Sequence, residues 1–166
     1  MSAPAALVRL VEPWSQLYAD SKVLPTVIVY AHITALLLAG GLAITIDRGT
    51  LRASHSSTEQ RVRHLDALSA AHRFVLGGLA LSAITGVLLF TADLETYFTS
   101  RIFWTKATLI VLLLLNGYMM TRAERALRSA PENEDAEWRR LRRTAVISLV
   151  LWFAIPLFGA ALAEAL

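Results

Sequence analysis

Four long apolar stretches, Val23 to Ile46, Ala70 to Ala92, Ile102 to Thr121 and Thr144 to Ala163, dominate this sequence. Each reaches the roughly 20 residues that an α-helix needs to cross the hydrocarbon core of a bilayer. Composition agrees with that reading: 55% of residues are hydrophobic, 17% are charged and the mean hydropathy is +0.51, whereas a water-soluble domain carries roughly a quarter charged residues. With 166 residues the chain has the length of about one domain. The expectation is an all-α four-helix transmembrane bundle over residues 23–166, preceded by a separate N-terminal segment over 1–22.

The segments between the apolar stretches are polar and unequal in charge. Arg48, Arg52, Arg61 and Arg63, with Arg73 just inside the second stretch, lie on one connection; Arg122, Arg125, Arg128, Arg139, Arg140, Arg142 and Arg143 lie on another. Twelve of the sixteen basic residues therefore fall on one side of a four-span topology. The positive-inside rule assigns both Arg-rich connections to the cytoplasm and both termini to the outside. Basic residues placed beside apolar runs in this way answer to a membrane, not to nucleic acid. The chain is expected to cross its membrane several times.

Residues 1–20 lack the positive start and apolar core of a cleavable signal and contain Pro4 and Pro13. Leu7, Val8, Leu10, Val11, Trp14, Leu17 and Tyr18 predict a short helix lying in the outer interface, with its aromatic side chains at headgroup depth. Pro25 suits the first turn of span one, and Pro156 interrupts span four. There is no cysteine, which excludes disulfides, thiolate metal sites and iron-sulfur clusters.

Ionisable groups inside a bilayer cost about 2.5 to 3.5 kcal/mol on insertion scales and call for a compensating role. Three stand inside the stretches: His32, His72 and Lys106; no Asp or Glu does. At 1.5 Å per residue His32 lies roughly 10 Å and Lys106 roughly 6 Å below the same outer boundary, while His72 sits about 15 Å from His32 along the membrane normal. His32 and Lys106 can therefore share a site, and His72 belongs to another level, near Asn116, Tyr118 and Met119. Lys106 is one of only two lysines against fourteen arginines, which marks it as chosen for its amine. An imidazole at His32 is a suitable ligand for haem iron or copper; its plainer use is an interhelical hydrogen bond, and the plainer use of Lys106 is to extend toward the headgroups. Gly78, Ser82 and Gly86 form a small-residue stripe for close approach of a helix or a flat macrocycle. Phe90, Phe103, Trp104, Trp152 and Phe153 suit a pocket wall or an interface belt. His55 and His64 fall in the first basic connection and read as solvated.

The run Ser21-x-Val23-Leu24-Pro25-x-Val27-x-x-Tyr30-Ala31-His32, with Gly40-Gly41, Asp47-Arg48, His72-Arg73, Thr85-Gly86, Phe103-x-x-Lys106 and Asn116-Gly117, resembles small uncharacterised bacterial four-span membrane proteins. These in turn look like distant relatives of the copper-resistance D-type membrane domain and of the four-helix protoporphyrinogen IX oxidase that binds haem b. The resemblance implies haem b as cofactor, His32 as iron ligand, and Lys106 as second ligand or as charge partner of a propionate or substrate. His72 is a further candidate cofactor-binding residue, paired with Met119.

The function expected is therefore a haem b-binding membrane protein in oxidation or electron transfer, with the activity of a membrane oxidoreductase. One alternative is a cofactor-free subunit of a larger membrane complex whose Arg-rich side docks an acidic partner or anionic lipid. A copper-handling protein is another, disfavoured for Cu(I) by the lack of soft sulfur ligands. Membrane lipid is the expected environment, and small-residue stripes suit self-association.

Overall fold

The computed structural model describes residues 3–54, 56–129 and 134–165, and the described chain is entirely helical apart from short links. A short helix, α1 (Ala5–Asp20), precedes four long ones, α2 (Leu24–Ala53), α3 (Thr58–Ala92), α5 (Arg101–Ser129) and α6 (Glu134–Ala165); a single turn, α4 (Leu94–Thr99), links α3 to α5. All four long helices are apolar and long enough to cross a membrane, in agreement with the four-span expectation.

Local signals set the helix starts. The Ser21 hydroxyl accepts from the backbone N–H groups of Val23 and Leu24 at 3.3 and 3.1 Å, and Pro25 occupies the first turn of α2. The Ser100 hydroxyl accepts from Phe103 N–H at 3.3 Å, capping α5. Asp93 does the same for α4 through Thr96 N–H. α6 runs through Pro156 without ending there.

The bundle is two helical hairpins, α2 with α3 and α5 with α6, joined mainly where α2 meets α6. α2 and α6 bury 28% and 33% of their apolar windows against 11% for α3 and for α5, so α2 and α6 form the centre and α3 and α5 the flanks. Among the described residues α3 and α5 do not pack backbone against backbone. They bound a cleft whose floor is α2 and α6. Close packing relies on missing side chains: a Cβ on Gly78 would stand 2.8 Å from Ala39 Cβ, and one on Gly40 would stand 2.9 Å from the Trp152 ring. The small-residue stripe of span two is thus an α2–α3 interface.

The helices extend well past the apolar stretches at the Arg-rich end. α3 alone has 35 residues, about 52 Å at 1.5 Å per residue, against a hydrocarbon core of about 30 Å. Most of the expected basic connections are therefore helix. A second core of Ala53, Leu65, Leu68, Met120, Ala123, Trp138, Leu141 and Ala145 holds these extensions together. Around it Arg61 pairs with Glu134 at 2.8 Å and lies over Trp138 at 5.4 Å, and Arg128 bridges Asp66 at 3.0 Å and Glu124 at 3.3 Å. His64, expected in solvent, is half-buried: its Nε2 shares a 2.8 Å hydrogen bond with the fully buried Thr50 hydroxyl, and its ring leaves no room for a Cβ on Gly49. His55 lies outside the described residues.

At the opposite end, α1 supplies side-chain donors to carbonyls in the last turns of α3. Trp14 Nε1 donates to Leu88 O at 3.0 Å and Ser15 Oγ to Ala92 O at 2.6 Å. Phe90 of α3 and Phe103 of α5 stack at 4.8 Å beneath Tyr97, closing that end of the cleft.

Candidate functional site within the membrane bundle

His32 projects from α2 onto α3. Its Nδ1 is 3.0 Å from the Ser82 carbonyl oxygen and 3.0 Å from Thr85 Oγ1. A carbonyl only accepts, and the Thr85 hydroxyl proton is directed to Leu81 O at 2.8 Å. The proton of a neutral His32 ring therefore resides on Nδ1, and the Nε2 lone pair is free. That is the arrangement in which protein imidazoles bind metals: one nitrogen donates to a carbonyl and fixes the ring, and the other is presented as ligand. One turn on, a Cβ at Gly86 would stand 3.3 Å from the ring's Cε1.

Lys106 reaches from α5 toward α6, where a Cβ on Gly159 would stand 3.4 Å from its Nζ. It makes no salt bridge among the described residues, and it lies within electrostatic range of His32. Each of the two groups lies beside a glycine of a neighbouring helix, Gly86 for His32 and Gly159 for Lys106. The Phe90–Phe103 stack lies one helical turn beyond, with Phe103 three residues before Lys106 and Phe90 four after Gly86.

The deeper part of the cleft is a cavity of about 320 Å³ toward the Arg-rich end, bounded by all four long helices. Its polar lining includes Asp47, His72, Tyr118, Thr121, Arg125 and Ser148; its apolar walls include Val75, Leu76, Leu79, Leu113, Leu114 and Trp152. One residue past the first apolar stretch the structure buries an acid that the sequence reading did not single out. Asp47 is 2% exposed. Ser148 lines the same cavity, and among the described residues Asp47 Oδ2 is buried with no hydrogen-bond partner.

His72 lines this cavity and His32 does not, in keeping with the separate levels expected from sequence. The expected neighbours of His72 fare unequally. Tyr118 shares the cavity with it; Asn116 is buried with its amide donating to Thr144 O at 2.9 Å; Met119 is 60% exposed on the outer surface. A second site built on His72 and Met119 is not what the fold assembles. Glu124, 6% exposed, is the acid within electrostatic range of His72 and is itself held by Arg128.

A family model described as "Predicted membrane protein (DUF2214)" matches residues 24–165, which is the whole four-helix bundle. The chain belongs to this family. No curated protein and no solved structure matches it. DUF2214 membership agrees with the uncharacterised membrane family expected from the motifs, and the match provides no support for kinship with the copper-resistance D-type domain or with the protoporphyrinogen oxidase.

One signal for the missed acid was present in the sequence. Ala35, Ala39, Ala43 and Asp47 follow one another at four-residue spacing, and all four are buried. Residues four apart share a helix face, so an acid continuing a small-residue face belongs to the packed interior as long as the helix continues through it.

Proposed function

We propose that this chain is a multi-pass, haem b-binding member of its family, serving oxidation or electron transfer in a bacterial inner membrane, with the Arg-rich end in the cytoplasm. The observation that supports this reading is the His32 ring: Nδ1 is spoken for by a carbonyl, Nε2 has no hydrogen-bond partner among the described residues, and Lys106, which makes no salt bridge among them, lies within electrostatic range. The donor set fits a haem. His32 would ligate the iron; Lys106 would complete the site, as opposite ligand when its amine is neutral and as propionate partner when it is protonated. Gly86 and Gly159 keep both side chains free of neighbouring methyl groups.

Bound haem would supply one-electron chemistry. The chain's own contribution is to fix the imidazole tautomer, to surround the site with Phe90 and Phe103, and to lower the local dielectric. The sidedness follows from the twelve basic residues gathered at one end. Membrane lipid, a second copy or a larger complex would cover the exposed apolar faces carrying Phe74, Ile84, Val111 and Leu115.

An oxidised and a dithionite-reduced absorption spectrum of the detergent-purified protein, made under haem-replete expression, tests this directly. The expected result is a reduced b-type spectrum that His32→Ala abolishes while the variant still elutes as folded protein. A colourless wild type, or a spectrum indifferent to His32→Ala, overturns the reading and favours a cofactor-free subunit of a larger complex.

A further inference from the structure

We propose that the cavity around Asp47 is a second binding site, distinct from the His32–Lys106 level, and that it takes a small lipophilic amine in its protonated form. Asp47 and His32 are fifteen residues apart on one helix, about 22 Å at 1.5 Å per residue, so neither site includes the other.

The argument begins with an acceptor that has no donor. Asp47 Oδ2 is buried and unpartnered, on a residue 2% exposed that lines a cavity of about 320 Å³. Buried polar groups are nearly always hydrogen-bonded, and each exception calls for an explanation. Buried carboxylates in particular are found paired, because the desolvated charge is otherwise expensive. Among the described residues no cation forms a salt bridge with Asp47. A ligand that brings an N⁺–H donor supplies what is missing, as a charge-assisted hydrogen bond of the strong kind.

The rest of the lining defines the body of that ligand. Trp152 offers a ring wall on α6 and Tyr118 another on α5, and aromatic faces attract ammonium groups. Toward the middle of the bundle the walls are Val75, Leu76, Leu79, Leu113 and Leu114. Leu76, Leu114 and Tyr118 are also exposed on the outside of the helices, at 53%, 48% and 64%, so the mouth opens between α3 and α5 onto lipid. An entrant from that direction must partition into a bilayer.

The carboxylate and the leucines set the ligand's orientation. Arg125, the cationic group on the wall, lies about three turns from Leu113 and Leu114 along α5. An amine binds with its ammonium at Asp47, the anionic group of the lining, and its apolar body among the leucines. His72 and Tyr118 also line the cavity and bring further hydrogen-bonding atoms to it. A neutral donor of the same shape leaves the carboxylate charge uncompensated and binds less well.

The test uses the full chain in phospholipid nanodiscs at neutral pH, with 1-aminoadamantane as probe and its neutral isostere 1-adamantanol as control, each corrected for partition into empty nanodiscs. Saturable one-to-one binding of the amine by titration calorimetry is expected, at least tenfold tighter than the alcohol and weakened at least tenfold by Asp47→Asn. A second variant, Leu114→Trp, fills the cavity from the lipid side with Asp47 intact and is expected to abolish binding as well. Equal affinity for amine and alcohol, or amine binding unchanged in either variant, overturns the proposal, as does the absence of saturable binding to the wild type. Failure of the haem reading would leave this result untouched, because neither probe nor variants reach His32 or Lys106.

Discussion

His32 Nδ1 sits 3.0 Å from the Ser82 carbonyl oxygen, and because a carbonyl cannot donate, this one contact decides which nitrogen of a neutral ring is left to ligate. Thr85 Oγ1 makes a second 3.0 Å contact to the same nitrogen. Partners of this kind around a metal-ligating histidine are worth 10- to 100-fold in metal affinity. Thr85→Val removes the hydroxyl and keeps the carbonyl, so haem retention is expected to fall by about tenfold, measured by competition with an apo-globin. Thr91→Val, at a half-buried Thr91 whose hydroxyl bonds only its own helix at 2.8 and 3.2 Å, serves as the control and is expected to have no effect. Equal retention in both variants would remove Thr85 from the site.

Gly40 and Gly41 are adjacent in sequence and opposite in consequence. A Cβ on Gly40 would stand 2.9 Å from Trp152 Cε3, whereas one on Gly41 meets nothing within 4 Å. Gly40→Ala is therefore expected to destabilise the α2–α6 contact by about 1 to 3 kcal/mol through overpacking. Gly41→Ala should instead stabilise by up to about 1 kcal/mol, because alanine is the better helix former. Thermal unfolding of both variants in the same detergent decides it; a similar midpoint for the two would show that α2 and α6 do not meet face to face at this level.

The spans could be read from sequence because hydropathy reports lipid contact directly, and His32 and Lys106 stood out because an ionisable group in such a stretch is expensive. What hydropathy cannot report is where a helix ends once it leaves the lipid. Beyond Ile46 the chain becomes polar and includes Gly49, yet α2 continues to Ala53, helped by Arg48, Leu51, Arg52 and Ala53 and supported across the hairpin by Thr50 and His64. Asp47 and His64 lie beyond that point, so hydropathy is silent on both, and only the four-residue spacing of Asp47 from Ala43 marks its face. The level of His72 is legible from sequence, but the side of α5 that faces it is settled by the packing of α5 against α6, which turns Asn116 and Met120 inward and Met119 outward.

The Arg-rich end contains two arginines of very different standing. Arg61, with 22% of its side chain exposed, pairs with Glu134, donates to Ser54 O at 3.0 Å and lies over Trp138. Arg63 is 67% exposed and pairs with Glu59 within its own helix at 3.1 Å. Exposed pairs of the second kind contribute at most about 0.5 kcal/mol, while a partly desolvated guanidinium over an indole adds about 1 to 2 kcal/mol to its ion pair. Arg61→Ala should accordingly lower the unfolding midpoint by several degrees and Arg63→Ala by less than one. The reverse order would mean that the helical extensions are not held together through α3 and α6.

Tyr97, on α4 at the end opposite the arginines, should reveal itself at alkaline pH. Burial against the aromatic cluster pushes its phenol above the usual value of 10.0, and the neighbouring Tyr18 and Asp93 push in the same direction. The folded protein therefore holds the neutral phenol more tightly than the unfolded chain does. Its contribution to stability is fully present below pH 10, the unfolded value, and is lost as pH rises from there through the folded value. Tyr97→Phe retains the ring packed near Phe90 and Phe103 and removes the titrating group. The expected outcome is that the wild-type unfolding midpoint falls between pH 10 and 11.5 more steeply than that of the variant, with the two converging at pH 8. Parallel curves over that range would show that the Tyr97 hydroxyl is in free contact with water and that α4 does not close the end of the cleft.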